Sequence, residues 1–259
     1  MALLSNNTRR RSRAGTIDVV PRDIFLREWD YSNQHVTMLG PTQRGKTVLC
    51  IQLLDKVISP QHKATVLAGK TPNRDPVMAQ AADKLNLRVI KTWPPKTEVI
   101  DRKKNGYLLR PTQTLDDIDS DNKELEKQFR AGIVGNYQND KHPSIIVIDE
   151  AHLIQKDLGL QKECDAILTR GQPDTAEWNL SQRGRFLSYH TYSAPEHLFI
   201  FADPDASNQK RYSEIGGVDP KWILAIAQNL RMQDNGKGQT ISECIYFRRS
   251  GPEVCIVGM

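Results

Sequence analysis

Eight residues constrain this chain more than any others: Gly40-Pro41-Thr42-Gln43-Arg44-Gly45-Lys46-Thr47 read G-x-x-x-x-G-K-T, the P-loop or Walker A pattern. The flanks are those the pattern needs. Residues 35–39 read as a short buried strand. After the motif, Leu49, Leu53 and Val57, with Cys50, Leu54 and Ile58, recur at helical spacing. A strand that feeds a glycine-rich turn and then a helix aims several backbone N–H groups at one point, where phosphate oxygens bind. Gly40 and Gly45 permit the tight backbone path. In such a loop Lys46 reaches the β- and γ-phosphates of ATP, and the Thr47 hydroxyl binds Mg²⁺.

Composition bounds the rest. At 259 residues, with 38% hydrophobic and 26% charged residues, the chain has the length and balance for a globular domain with a real core. No apolar run approaches the length of a membrane span, and the N-terminus has no apolar segment of the secretory kind. A cytoplasmic location is expected. Cys50, Cys164, Cys244 and Cys255 are far apart and form no C-x-x-C pair, so buried free thiols are expected rather than a zinc site. The formal net charge is +5, of which Arg9, Arg10, Arg11 and Arg13 supply +4, leaving +1 for the body. Net charge is therefore no argument for nucleic acid.

Residues 1–15 are polar, basic and aperiodic, and read as a disordered arm. The arm either grips phosphates or is a solvated tail. Residues 16–259 read as one ATPase domain. Phe25, Leu26 and Trp29 are expected to pack on it, with Trp29 or Tyr31 near an adenine as the other reading. Strands are expected at 64–68, 87–90 and 107–109, and helices at 77–87 and 123–137, with a turn at 116–121. Lys70 and Asp75 follow the 64–68 strand. They are either near-site residues or part of a solvated loop, because ligand sites in open α/β sheets lie at the carboxyl ends of strands.

The second anchor is Ser144-Ile145-Ile146-Val147-Ile148-Asp149-Glu150. A continuous branched apolar run marks a parallel strand buried on both faces. It ends in two carboxylates, which are costly to bury without a partner. Downstream of a P-loop they form a Walker B motif: Asp149 binds Mg²⁺ through water, and Glu150 orients and polarises the attacking water. Helices are further expected at 158–169, 208–215 and 221–230, strands at 176–181 and 197–202, and a C-terminal hairpin at 242–257.

The order of Walker A, a strand ending in Asp149-Glu150, a helix, and a strand ending in Gln182-Arg183 resembles the HerA/FtsK class of P-loop ATPases. Those are RecA-like motors with an additional strand and a catalytic glutamate. Their sensor strand ends in Gln-Arg-Pro, whereas this chain has Gly184 in place of the proline. Asp205, Arg211 and the Glu214-Ile215-Gly216-Gly217 turn add to the likeness, which spans about residues 33–230. The small size resembles viral and phage genome-packaging or DNA-translocating ATPases. The resemblance implies a RecA-like core, a mostly parallel sheet flanked by helices, here with a C-terminal β-hairpin. It also implies a homo-hexameric ring around double-stranded DNA, a virion or nuclease partner, and the host cytoplasm if the source is a phage. It assigns Gln182 as the γ-phosphate sensor. Arg170, beside Gly171, is the arginine finger supplied to a neighbour's nucleotide, with Arg211 as second choice.

Asp149-Glu150-Ala151-His152 also spells the DEAH box of two-lobed helicases, and Gln182-Arg183-Gly184-Arg185 resembles their Q-R-x-G-R motif. In those enzymes that motif lies on a second lobe, and too little chain separates or follows the two here. His152 is read as packing. The expected function is an ATP-driven DNA translocase; the alternative is a P-loop ATPase acting on a protein in assembly, secretion or nuclease regulation. A non-hydrolysing nucleotide-binding module conflicts with the complete set of Lys46, Thr47, Asp149 and Glu150.

Overall fold

A computed structural model describes residues 8–12, 15–96, 100–138, 143–171, 174–205, 208, 212, 219–234, 240–251 and 253–259. Strands β1 (Thr8–Ser12) and β2 (Gly15–Val20) lead into helix α1 (Arg22–Glu28). Strand β3 (Val36–Leu39) precedes α2 (Lys46–Val57), and β4 (Lys63–Ala68) precedes α3 (Pro76–Lys84). Strands β5 (Leu87–Ile90) and β6 (Gly106–Leu109) come before α4 (Ile118–Tyr137). Strand β7 (Ser144–Asp149), α5 (Gln161–Arg170), β8 (Thr175–Ser181) and β9 (His197–Phe201) follow. After a helix at Pro220–Ala227 come β10 (Met232–Asp234), β11 (Thr240–Ser242), β12 (Cys244–Arg248) and β13 (Glu253–Val257).

Among the described residues eleven strands form one sheet in the order β1-β2-β13-β12-β9-β3-β8-β7-β4-β6-β5, and β10 pairs with β11 separately. The run β9-β3-β8-β7-β4-β6-β5 is entirely parallel. Such a sheet must be covered on both faces, and the alternation along each strand shows that it is. Met38, Val66, Ile145, Val147, Phe199 and Phe201 face one core, closed by Phe25 of α1, Leu49 and Leu53 of α2 and Met78 of α3. Leu39, Leu67, Ile146, Ile148, Leu198 and Ile200 face the other, closed by Phe129 and Ile133 of α4 and Ile167 of α5. All four cysteines are buried free thiols, as expected. Among the described residues no helix is long and apolar enough to cross a membrane.

Two expectations are corrected. Residues 8–12, read as part of a disordered arm, form an edge strand paired antiparallel with β2. Residues 118–121, read as a turn, are the first turn of α4. Asp117 accepts from the backbone N–H groups of Asp119 and Ser120 at 3.0 and 3.1 Å, and Asp119 and Asp121 sit where the helix dipole favours acids. The expected C-terminal hairpin is present, β12 against β13, and it lies inside the sheet: β12 pairs with β9 and β13 with β2. Of the helix expected at 208–215, only Asn208 and Tyr212 lie within the described residues.

Candidate nucleotide site

Because β3, β8, β7, β4, β6 and β9 run parallel, the residues that follow them meet at one edge. That edge carries Gly40 after β3, Gln182 after β8, Asp149 at the end of β7, Lys70 after β4, Arg110 after β6 and Asp203 after β9. The P-loop residues 42–47 share a pocket of about 340 Å³ with Lys70, Asp75, Asp149, Glu150 and Gln182. The sequence-predicted Walker A and Walker B residues and Gln182 are thereby brought together.

Backbone geometry explains the glycines. Gly40 has φ of 147°, and a Cβ there would meet the Phe201 Cβ at 2.6 Å. Gly45 caps α2 with φ of 90°. Both angles are open to glycine and strained for other residues. Lys46 is 7% exposed, and its ammonium donates to the carbonyls of Gly40 and Pro41, each at 2.6 Å. Burial pulls its pKa down to about 8, against the field of Asp149 and Glu150.

The carboxylates are held differently. Asp149 is 6% exposed, and its pKa is raised to about 6, first by burial and then by the neighbouring Asp75; the cations Lys70 and Lys46 oppose the rise. Glu150 adopts φ of 64°, a left-handed conformation costly for a side-chain-bearing residue. Its Oε1 accepts from both Gln182 Nε2 and the Lys70 ammonium. Its Oε2 lies 4.0 Å from His152 Nε2. Gln182 Oε1 in turn accepts from the Thr42 hydroxyl at 2.7 Å, so this side chain ties the P-loop to Glu150. Burial opposes the charge on Lys70, but the hydrogen bond and the fields of Glu150, Asp149 and Asp75 outweigh it, and its pKa is raised.

Thr47 and Asp149 line the same pocket. Among the described residues no group of three or more His, Cys, Asp or Glu side chains is arranged to hold a metal alone. A hard oxygen pair of this kind fits Mg²⁺, which takes one or two protein oxygens and completes its shell with phosphates and water.

Other predicted residues lie elsewhere. Arg170 is exposed at the C-terminal end of α5, and its carbonyl accepts from Tyr137 at the end of α4. That places it by the starts of β7 and β8, the edge opposite its own pocket. Arg211 lies outside the described residues. Trp29 and Tyr31 stack with centroids 5.2 Å apart and pack edge-on against Trp178, distant from the phosphate loop, so they are core.

Several polar residues at the site escaped sequence reasoning. Arg110, 6% exposed, donates to Asp75 at 3.1 Å, and Asp75 also caps α3 through the Met78 N–H. The rule that flagged Lys70 applies equally to Arg110, since β6 ends just before it. Asn208 donates to Asp203 at 3.0 Å and lies 3.5 Å from the Gln182 carbonyl. Lys156, Arg183 and Arg185 gather over the Phe186 ring, at 3.8, 6.0 and 4.4 Å from its centroid.

No protein-family model matches the sequence, and no curated protein matches it. Solved structures do match the fold. The DNA-packaging ATPase B204 of Sulfolobus turreted icosahedral virus superposes with a TM-score of 0.57 at 13% identity, over 87% of this chain and 97% of that one. The genome packaging NTPase B204 of Sulfolobus turreted icosahedral virus 2 matches in its AMP complex, with a TM-score of 0.53 at 13% identity over 88% and 98% of the two chains. Its AMPPCP complex matches with a TM-score of 0.51 at 13% identity, over 87% and 97%. The chain shares its fold with these packaging ATPases. β8 lies between the P-loop strand and the Asp149 strand.

Proposed function

We propose that the chain is a Mg²⁺-dependent ATPase that drives translocation of double-stranded DNA, in the manner of the HerA/FtsK class and of genome packaging. The observation that carries it is Glu150, strained, tied to the P-loop through Gln182 and Thr42, and set in one pocket with Lys46, Thr47 and Asp149. The P-loop amides and Lys46 bind and orient the triphosphate. Thr47 and Asp149 hold Mg²⁺, which when bound offsets phosphate charge. Glu150 accepts a hydrogen bond from the attacking water and aligns it with the γ-phosphate. Gln182 links the state of the γ-phosphate to the chain that follows it.

That following chain carries Arg183 and Arg185, and Lys156, from the turns after β7, meets them at the Phe186 ring. Cations at the end of a sensor strand suit contacts to a phosphate backbone, which position a duplex without reading its sequence. Arg170 serves as finger to a neighbour in a homo-hexameric ring, and its distance from its own pocket is compatible with that role. A second reading is an ATPase acting on a protein partner, which the net charge of only +1 outside Arg9, Arg10, Arg11 and Arg13 keeps open.

The test is ATP turnover with and without linear duplex DNA across a salt series, with Glu150→Gln as control. The motor reading expects stimulation that fades as salt rises and turnover that falls at least about 100-fold in the variant. Glu150-dependent turnover indifferent to DNA would move the assignment to a protein substrate. Turnover equal in the variant would remove Glu150 from its catalytic role.

A further inference from the structure

Of the lysine and arginine side chains, Lys70 alone is placed on the carboxylate of Glu150 among the described ion pairs, beside His152 at 4.0 Å on the other oxygen. Its position follows from the sheet. Ala68 of β4 pairs with Asp149 of β7, so Glu150, one residue on, and Lys70, two residues on, stand at adjacent strand ends. Gly69 presses this strand end close to the turn after Glu150: a Cβ there would meet Leu153 Cδ2 at 2.8 Å. The Lys70 side chain is 35% exposed and lines the same pocket as the P-loop. Lys46, by contrast, is anchored on the Gly40 and Pro41 carbonyls. Asp75, the third acid nearby, is paired with Arg110. Lys70 is thus a half-exposed cation on a flexible stem, held by one carboxylate and facing the space a γ-phosphate would enter.

We propose that Lys70 is an exchange residue: it holds Glu150 when no γ-phosphate is present and passes to the γ-phosphate when a nucleoside triphosphate binds. The inference rests on the reading of the pocket as an ATPase site. A γ-phosphate oxygen competes for the ammonium because charge-assisted hydrogen bonds to phosphate and carboxylate are alike in kind, and phosphate carries the greater charge. Once Lys70 moves, Glu150 keeps Gln182 and can take a water as its second partner. Arrival of a triphosphate, and not of a diphosphate, would thereby arm the base. Lys70 is also a further contact that tells ATP from ADP.

The experiment measures equilibrium binding of AMPPCP and ADP, each with Mg²⁺, and ATP turnover, for the full chain and for Lys70→Met and Lys70→Arg. The wild type should prefer AMPPCP. Lys70→Met should lose about tenfold of that preference with ADP affinity within twofold, and turnover should fall about 10- to 100-fold. Lys70→Arg should keep most of both, because it retains the cation. Equal losses for AMPPCP and ADP would overturn the exchange role and leave Lys70 as pocket structure. Unchanged binding preference with turnover within twofold, or turnover that rises in Lys70→Met, would also overturn it. In each of those cases Glu150-dependent turnover by the wild type keeps the ATPase reading intact. A wild type that binds neither nucleotide would remove both.

Discussion

Glu177 shows how far a single residue can depart from its ordinary chemistry. It is fully buried in β8, where its Oε1 accepts from Asn179 at 2.7 Å and its Oε2 has no hydrogen-bond partner. Burial, against the Asn179 hydrogen bond, pushes its pKa up to about 8. The folded chain therefore holds a proton that the unfolded chain releases above about pH 4. Between there and about pH 8 the unfolded state binds fewer protons, so stability falls as pH rises. Glu177→Gln should flatten that slope and raise stability at pH 8 by a few kcal/mol at most, read from chemical denaturation at pH 5 and pH 8. Arg110 is a second case. Its pair with Asp75 is nearly dry, with side chains 6% and 11% exposed, and removing one partner strands the other. Arg110→Met should cost about 3–5 kcal/mol. Adding Asp75→Asn, which can still cap α3, should recover part of it in the same measurement. Neither residue announced itself in the sequence. Glu177 sits in a stretch that reads as an ordinary strand, and only the helix and strands packed around it make the site dry.

Helix α4 illustrates what periodicity misses at the level of an element. The apolar residues that mark it, Leu125, Phe129 and Ile133, begin well after the helix does. Its first two turns are polar and held by local chemistry: Asp117 caps the N-terminus, and Asp121 accepts from the Thr114 and Leu115 N–H groups. Asp117→Ala should lower stability by about 1 kcal/mol and leave the nucleotide pocket intact, measured by thermal melting alongside nucleotide binding. The converse holds for β7, whose branched apolar run and terminal acids specify both its burial and its position. Elements that contact the core along their whole length are legible. Those begun by caps are legible only if the cap is weighed as heavily as the periodicity.

For the whole molecule, the C-terminal hairpin matters most. β12 and β13 join the parallel strands to β1 and β2, and Tyr246, Phe247 and Ile256 are buried there. Deleting residues 244–259 should therefore unfold the chain rather than trim it: the truncated protein should show no cooperative thermal transition and no nucleotide binding. A hairpin merely attached to the surface would leave both. The sequence by itself determined the P-loop, the Asp149-Glu150 strand and the alternation of strand and helix, because each is local: a few adjacent residues set the turn, the periodicity and the burial. Tertiary structure alone decided strand order. It placed β8 between the P-loop and Asp149 strands, put the last two strands inside the sheet, and brought Lys70 and Gln182 onto one carboxylate oxygen. Strand order depends on which surfaces bury most completely together, and that is a property of all the elements at once, written in no single stretch of the chain.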